Sequence, residues 1–116
     1  MAQPFRDLDL SPKMVDVIKI FLGDPSKEWY GMELMRATRQ PSGTMYPILA
    51  KFERNGWLSR GKESIDPTVE GRPARQFYRI TGAAVTAARL QLAELSERYR
   101  PPAAVQPRPR TAGGAP

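Results

Sequence analysis

The sequence predicts a small α+β fold, mostly helical: three helices, a two-stranded hairpin, and a last helix that pairs two copies of the chain. Three observations predict it. The chain has 116 residues, 41% of them hydrophobic, enough for one core and too few for two. Apolar residues recur at helical spacing in four stretches, and aromatic and β-branched residues gather in two short runs around a loop rich in proline and glycine.

The first helix is expected over 12–22. Ser11 supplies a side-chain cap and Pro12 a first-turn residue whose missing N–H costs nothing there. Met14, Val17, Ile18, Phe21 and Leu22 share one face, and Gly23, Asp24 and Pro25 stop the pattern. Trp29 and Tyr30 then lead into Gly31 and a shorter helix over 32–38, with Leu34, Met35 and Thr38 inward. Arg39, Gln40 and Pro41 form a tight turn, because proline disfavours helical geometry in the residue before it.

Ser42 is expected to cap a third helix, whose Met45, Ile48, Leu49 and Phe52 make the i, i+3, i+4, i+7 stripe of a core-facing surface. Asn55 and Gly56 suit a left-handed C-terminal cap, with Trp57 folding back on the last turn. Pro47 removes one backbone bond, which places the helix start at Ser42 or a residue or two later. Extended chain is expected over 57–63 and 75–80, the latter carrying Phe77, Tyr78 and Ile80. The IDPTVEGRPA loop between them makes the pair a wing. Thr81 caps the last helix, where Val85, Ala88, Leu92, Leu95 and Tyr99 form a heptad seam of about two heptads. So short a seam must lean on another surface, and a second copy is the expected one.

This order is that of a winged helix-turn-helix. It divides the chain into an N-terminal arm over 1–10, the winged helix-turn-helix domain over 11–80, a dimerisation helix over 81–100 and a disordered proline-rich tail over 101–116. Lys and Arg outnumber Asp and Glu 18 to 12, for a net charge of +6, which favours polyanionic partners. The chain has no cysteine and no histidine, which excludes disulfides, thiol and histidine triads and the usual zinc sites. The remaining carboxylate pairs, Asp7 with Asp9 and Asp66 with Glu70, read as solvated turn residues, so no enzyme, metal or cofactor is expected. The first ten residues carry early charges and no apolar core of a signal peptide, and 14–22 is too short and too charged to span a bilayer. A cytoplasmic protein is expected.

Charge placement suggests the partner. Gly43, Thr44, Tyr46, Lys51 and Arg54 face outward on the third helix, small, hydroxylated or cationic as a major-groove insert requires. Ser42 and Thr44, with free N–H groups at the helix start, suit a phosphate, and Arg39 and Gln40 in the turn beside them are expected to face outward and contact the same nucleic acid. A merely solvated polar face reads similarly. Arg72 and Arg75 flank Pro73 on the wing, where they can reach phosphate or pair locally with Glu70 and Asp66.

YGMELMRAT, PSGTMYPILAKFERNGWL and GRPARQFYRIT together resemble the PadR family of winged-helix regulators, over residues 29–81. Ser42, Gly43, Thr44, Tyr46 and Pro47, the exit at 55–57 and the approach at 78–81 carry the likeness. The resemblance implies a homodimeric repressor of the short-tailed branch, whose third helix and wing meet double-stranded operator DNA and whose last helix builds the dimer. Proline after tyrosine in the third helix is the family's pattern, whereas Gly82, Ala83 and Ala84 depart from the residues usual there. Any small-molecule effector would need a pocket between protomers, near Trp29 or Trp57, both of which read first as core residues. A protein-interaction module and a DNA-binding accessory factor in recombination are the alternatives.

Overall fold

The structure is a computed structural model and describes residues 3–98. Helix α1 (Pro12–Gly23) starts as its sequence dictates: Ser11 accepts from the Met14 N–H at 3.3 Å and Pro12 occupies the first turn. It buries Met14, Val17, Ile18 and Phe21. Helix α2 (Gly31–Thr38) begins one residue earlier than expected, because the Glu33 carboxylate accepts from the Tyr30 N–H at 2.9 Å and closes its first turn. Helix α3 (Ser42–Arg54) buries Met45, Leu49 and Phe52.

Ser42 is the first residue inside α3 and does not cap it. Pro41 holds the cap position, its carbonyl accepting from Thr44 and Met45 at 3.0 and 2.9 Å, and the helix runs on through Pro47. The chain then turns at Gly56, whose φ of +74° is left-handed, so that Trp57 donates back to the Phe52 carbonyl at 2.8 Å. Strands β2 (Leu58–Lys62) and β3 (Gln76–Ile80) form the expected hairpin, Leu58 opposite Ile80 and Lys62 opposite Gln76.

Two features of the sheet were not anticipated. A two-residue strand, β1 (Trp29–Tyr30), pairs antiparallel with β3, so the sheet has three strands in the order β1-β3-β2. Two residues are too few to show a period of two in sequence. The wing loop also contains one helical turn, α4 (Pro67–Glu70), capped by Asp66 accepting from the Thr68 N–H at 3.0 Å and ended by Gly71.

Helix α5 (Gly82–Arg98) starts at Gly82 on the Thr81 cap, whose hydroxyl accepts from the Ala84 N–H and donates to the Gly56 carbonyl at 2.7 Å. The core joins α1, α2, α3, the sheet and the first turns of α5, with Trp57, Phe21, Phe52 and Leu34 fully buried. Ala88 is therefore a core residue of its own chain, fully buried with Ala84, and Val85 packs against the same core. Of the rest of the heptad stripe, Leu92 and Leu95 are half-buried. Tyr99 and the tail over 101–116 lie outside the described residues.

The N-terminal arm is bound to the domain. Arg6 N–H donates to the Asn55 carbonyl at 2.9 Å, Trp57 Nε1 donates to the Arg6 carbonyl at 2.7 Å, and the Phe5 ring lies 5.5 Å from the Trp57 ring. The Gln91 amide donates to the Leu8 carbonyl and accepts from the Leu10 N–H. No helix among the described residues is long and apolar enough to cross a membrane.

Candidate nucleic-acid interface

The turn between α2 and α3 is set by residues that take no part in its outer face. Thr38 donates to the Leu34 carbonyl at 2.7 Å, Arg39 takes a left-handed conformation with φ of 58°, and its side chain stays exposed. Gln40, expected among the outward residues, is only 8% exposed. Its Nε2 donates to the Lys13 carbonyl at 3.3 Å, tying the turn to the start of α1. Its place is under the turn, not on the surface.

On α3 the buried stripe turns the opposite face outward. Ser42, Gly43, Pro47, Lys51 and Arg54 are exposed, while Thr44 is partly covered by its neighbours. Lys51 and Arg54 enter no ion pair among the described residues, in contrast to Arg60, paired with Glu53 at 3.3 Å, and Arg79, paired with Glu28 at 2.8 Å. Unpaired exposed cations on a helix with a small-residue start form an outward surface suited to a polyanion.

Tyr46 is 44% exposed and lies over the start of α2, where Gly31 makes room for it: a methyl group at Gly31 would stand 2.5 Å from the Tyr46 hydroxyl oxygen. Its ring forms one wall of a groove of about 450 Å³ whose other walls include Tyr30, Arg75, Gln76 and Tyr78. Burial raises the pKa of the Tyr78 hydroxyl. Helix α3 and the base of the wing thus share one concave surface.

Arg72 and Arg75, grouped together by sequence, occupy different situations. Arg72 holds Glu63 with two hydrogen bonds, Nη1 to Oε1 at 2.7 Å and Nη2 to Oε2 at 3.3 Å. Local pairing, the alternative to a DNA contact for Arg72, does occur, with Glu63 rather than with Glu70 or Asp66. The Arg75 side chain is exposed, lines the groove and enters no ion pair among the described residues. Only its backbone N–H reaches Glu63 Oε1, at 2.8 Å. The Arg72 hydrogen bonds, and then the Arg75 N–H, hold the Glu63 carboxyl at about 2, below its ordinary 4.5. In sequence Glu63 is one of three carboxylates between Arg60 and Arg75, with Asp66 and Glu70, and nothing in its spacing singles it out.

A second concavity, about 1020 Å³, separates the arm from α5, with Phe5, Leu8, Leu10, Ala87, Leu90 and Leu95 on its walls. Leu90 is 62% exposed and Leu92 half-buried. Trp57 is fully buried and Trp29 packs against the core, so both are structural here. Among the described residues no cluster of His, Cys, Asp or Glu is placed to hold a metal ion.

No protein-family model matches the chain, and no curated protein matches it. Solved structures do. MepR, a transcription regulator of the Staphylococcus aureus multidrug efflux pump MepA, aligns with a TM-score of 0.62 and 12% identity over 78% of this chain. The chain spans 61% of the length of that protein. Smu.1704 from Streptococcus mutans aligns with a TM-score of 0.60 and 21% identity, covering 80% of this chain and 86% of that one. A Streptococcus transcriptional regulator aligns with a TM-score of 0.53 and 25% identity, covering 73% and 85%. The fold is that of winged-helix transcription regulators.

Proposed function

We propose that this chain is a double-stranded-DNA-binding transcriptional regulator of the PadR type, a repressor that binds an inverted-repeat operator as a homodimer and catalyses nothing. The observation that carries the reading is the outward face of α3: Gly43, Pro47, Lys51 and Arg54 are exposed beside a groove that also holds Tyr46 and the unpaired Arg75. A helix whose buried stripe fixes its orientation, with unpaired cations opposite, can enter a major groove at no cost in broken internal pairs. The likeness to transcription regulators, one of them solved in a DNA-binding conformation, supports the same reading.

The second copy is assigned to the concavity between the arm and α5. Leu90, exposed, and the half-buried Leu8 and Leu95 supply its apolar part, and Asp7, Asp9, Glu94 and Arg98 its charged part. Two α3 helices related by a two-fold axis then meet successive major grooves, with half-site centres about 10 base pairs apart or a multiple of that.

Titration of a mixed-sequence duplex at several salt concentrations tests the reading. Binding should weaken steeply with salt, and Lys51→Ala and Arg54→Ala should each reduce the slope of log K against log salt by about 0.9. Binding that ignores salt, or no binding at low salt, would refute it.

A further inference from the structure

We infer that Glu63 is the positioning residue of the wing: its carboxylate fixes the backbone at Arg75 so that the Arg75 guanidinium stands beside Tyr46 as a seat for a DNA phosphate. This rests on the DNA-binding reading above. It makes an anion part of a surface that meets a polyanion, and the geometry explains why such a residue is there.

The last ladder pair of the hairpin joins Lys62 to Gln76. Beyond it a loop with a helical turn of its own would leave the chain around Arg75 unconstrained. Glu63 supplies the constraint. Its N–H donates to the Arg75 carbonyl at 2.9 Å, and its Oε1 accepts from the Arg75 N–H at 2.8 Å and from Arg72 Nη1 at 2.7 Å. Oε2 accepts from Arg72 Nη2 at 3.3 Å, and Arg72 Nη1 also donates to the Pro73 carbonyl at 3.2 Å. The carboxylate is thus a template on which residues 72–75 are wound, and its side chain is only 15% exposed. Charge-assisted bonds of this number hold a loop that backbone pairing alone does not.

The consequence is a division of labour between the two arginines. Arg72 spends its planar fork on Glu63 and serves the loop. Arg75 contributes its backbone to the template and keeps its guanidinium for the groove, where Tyr46 from α3 and Gln76 from β3 lie alongside. A cation, a hydroxyl and an amide converging on one concavity match the donors that phosphate oxygens accept.

The test exploits the sign of the charge. Removing a carboxylate from a DNA-facing surface should tighten binding if only electrostatics matters. Glu63→Ala should instead weaken binding to a mixed-sequence duplex about tenfold and reduce the salt slope by about 0.9, the value for one lost phosphate contact. Glu63→Gln keeps an acceptor for the Arg75 N–H but gives up the charge-assisted pair with Arg72, and should weaken binding less than Glu63→Ala. Because Glu63 acts through Arg75, Glu63→Ala should add no further loss in an Arg75→Ala background, whereas a general loss of folding would lower both backgrounds alike. Unchanged or tighter binding by Glu63→Ala, a loss in Glu63→Gln as large as in Glu63→Ala, or losses that multiply in the double variant would overturn the assignment. A parent protein that binds no duplex would remove the DNA reading itself, and this assignment with it.

Discussion

The hydroxyl of Tyr46 rests on Gly31, so close that a methyl group there would stand 2.5 Å from the oxygen. This contact places a side chain of α3 by means of the first residue of α2. Gly31→Ala should push the ring outward and cost little stability, because the obstructing atom is the far end of a side chain already 44% exposed. The melting temperature should move by only a few degrees. Discrimination between operator and random DNA should fall, read as the ratio of two affinities. An unchanged ratio would remove Tyr46 from base reading.

Gly56 presents the opposite case. Its φ is +74°, and a methyl group there would meet backbone atoms of Pro4 and Phe5 at 2.7 Å. Gly56→Ala combines a left-handed conformation costing about 1 kcal/mol with expulsion of the arm, for a loss of about 2 kcal/mol or more. Thermal denaturation should show a drop on the order of 10 °C, with Trp57 fluorescence reporting release of Phe5 and Arg6. A melting curve like the parent's would show that the arm is dispensable.

Acid should act on the wing through Glu63. Its carboxyl is held at about 2 against an ordinary 4.5, so it favours the folded wing above 4.5, and that contribution fades as pH falls from 4.5 toward 2. The protection factor of the Arg75 amide, its intrinsic exchange rate divided by the observed rate at the same pH, should fall across this interval, and Glu63→Gln should flatten the change. A protection factor that stays constant down to pH 2 would contradict the role of the Arg72 pair.

Paired substitutions at the exposed end of α5 test the second copy. Leu90→Asp with Leu95→Asp replaces the apolar part of the concavity beside the arm with charge without touching the buried Ala84 and Ala88, so the fold should persist. Light scattering should report a dimer for the parent and a monomer for the variant, which should bind operator more weakly. A variant that remains dimeric would place the interface elsewhere.

What could be read from sequence followed from how locally each feature is determined. The start of α1 and the turn into the hairpin were legible because Ser11, Pro12 and Gly56 act on their own neighbours. Gln40, Glu63 and Ala88 were not, since each is defined by a partner distant in the chain: the Lys13 carbonyl, Arg72, and the α1 side of the core. An apolar stripe reveals that a surface is covered and is silent on whether the cover is the same chain. The β1 strand was hidden for a related reason, as Trp29 and Tyr30 become a strand only by lying against Tyr78 and Phe77.

Selection of bound fragments from a pool of random duplexes bears most directly on the claim that α3 reads DNA in a two-fold pair. The account predicts enrichment of an inverted repeat whose half-site centres lie about 10 base pairs apart, or a multiple of that, lost when Tyr46 is replaced by alanine. Recovery of fragments with no common sequence, or of a single asymmetric half-site, would contradict it.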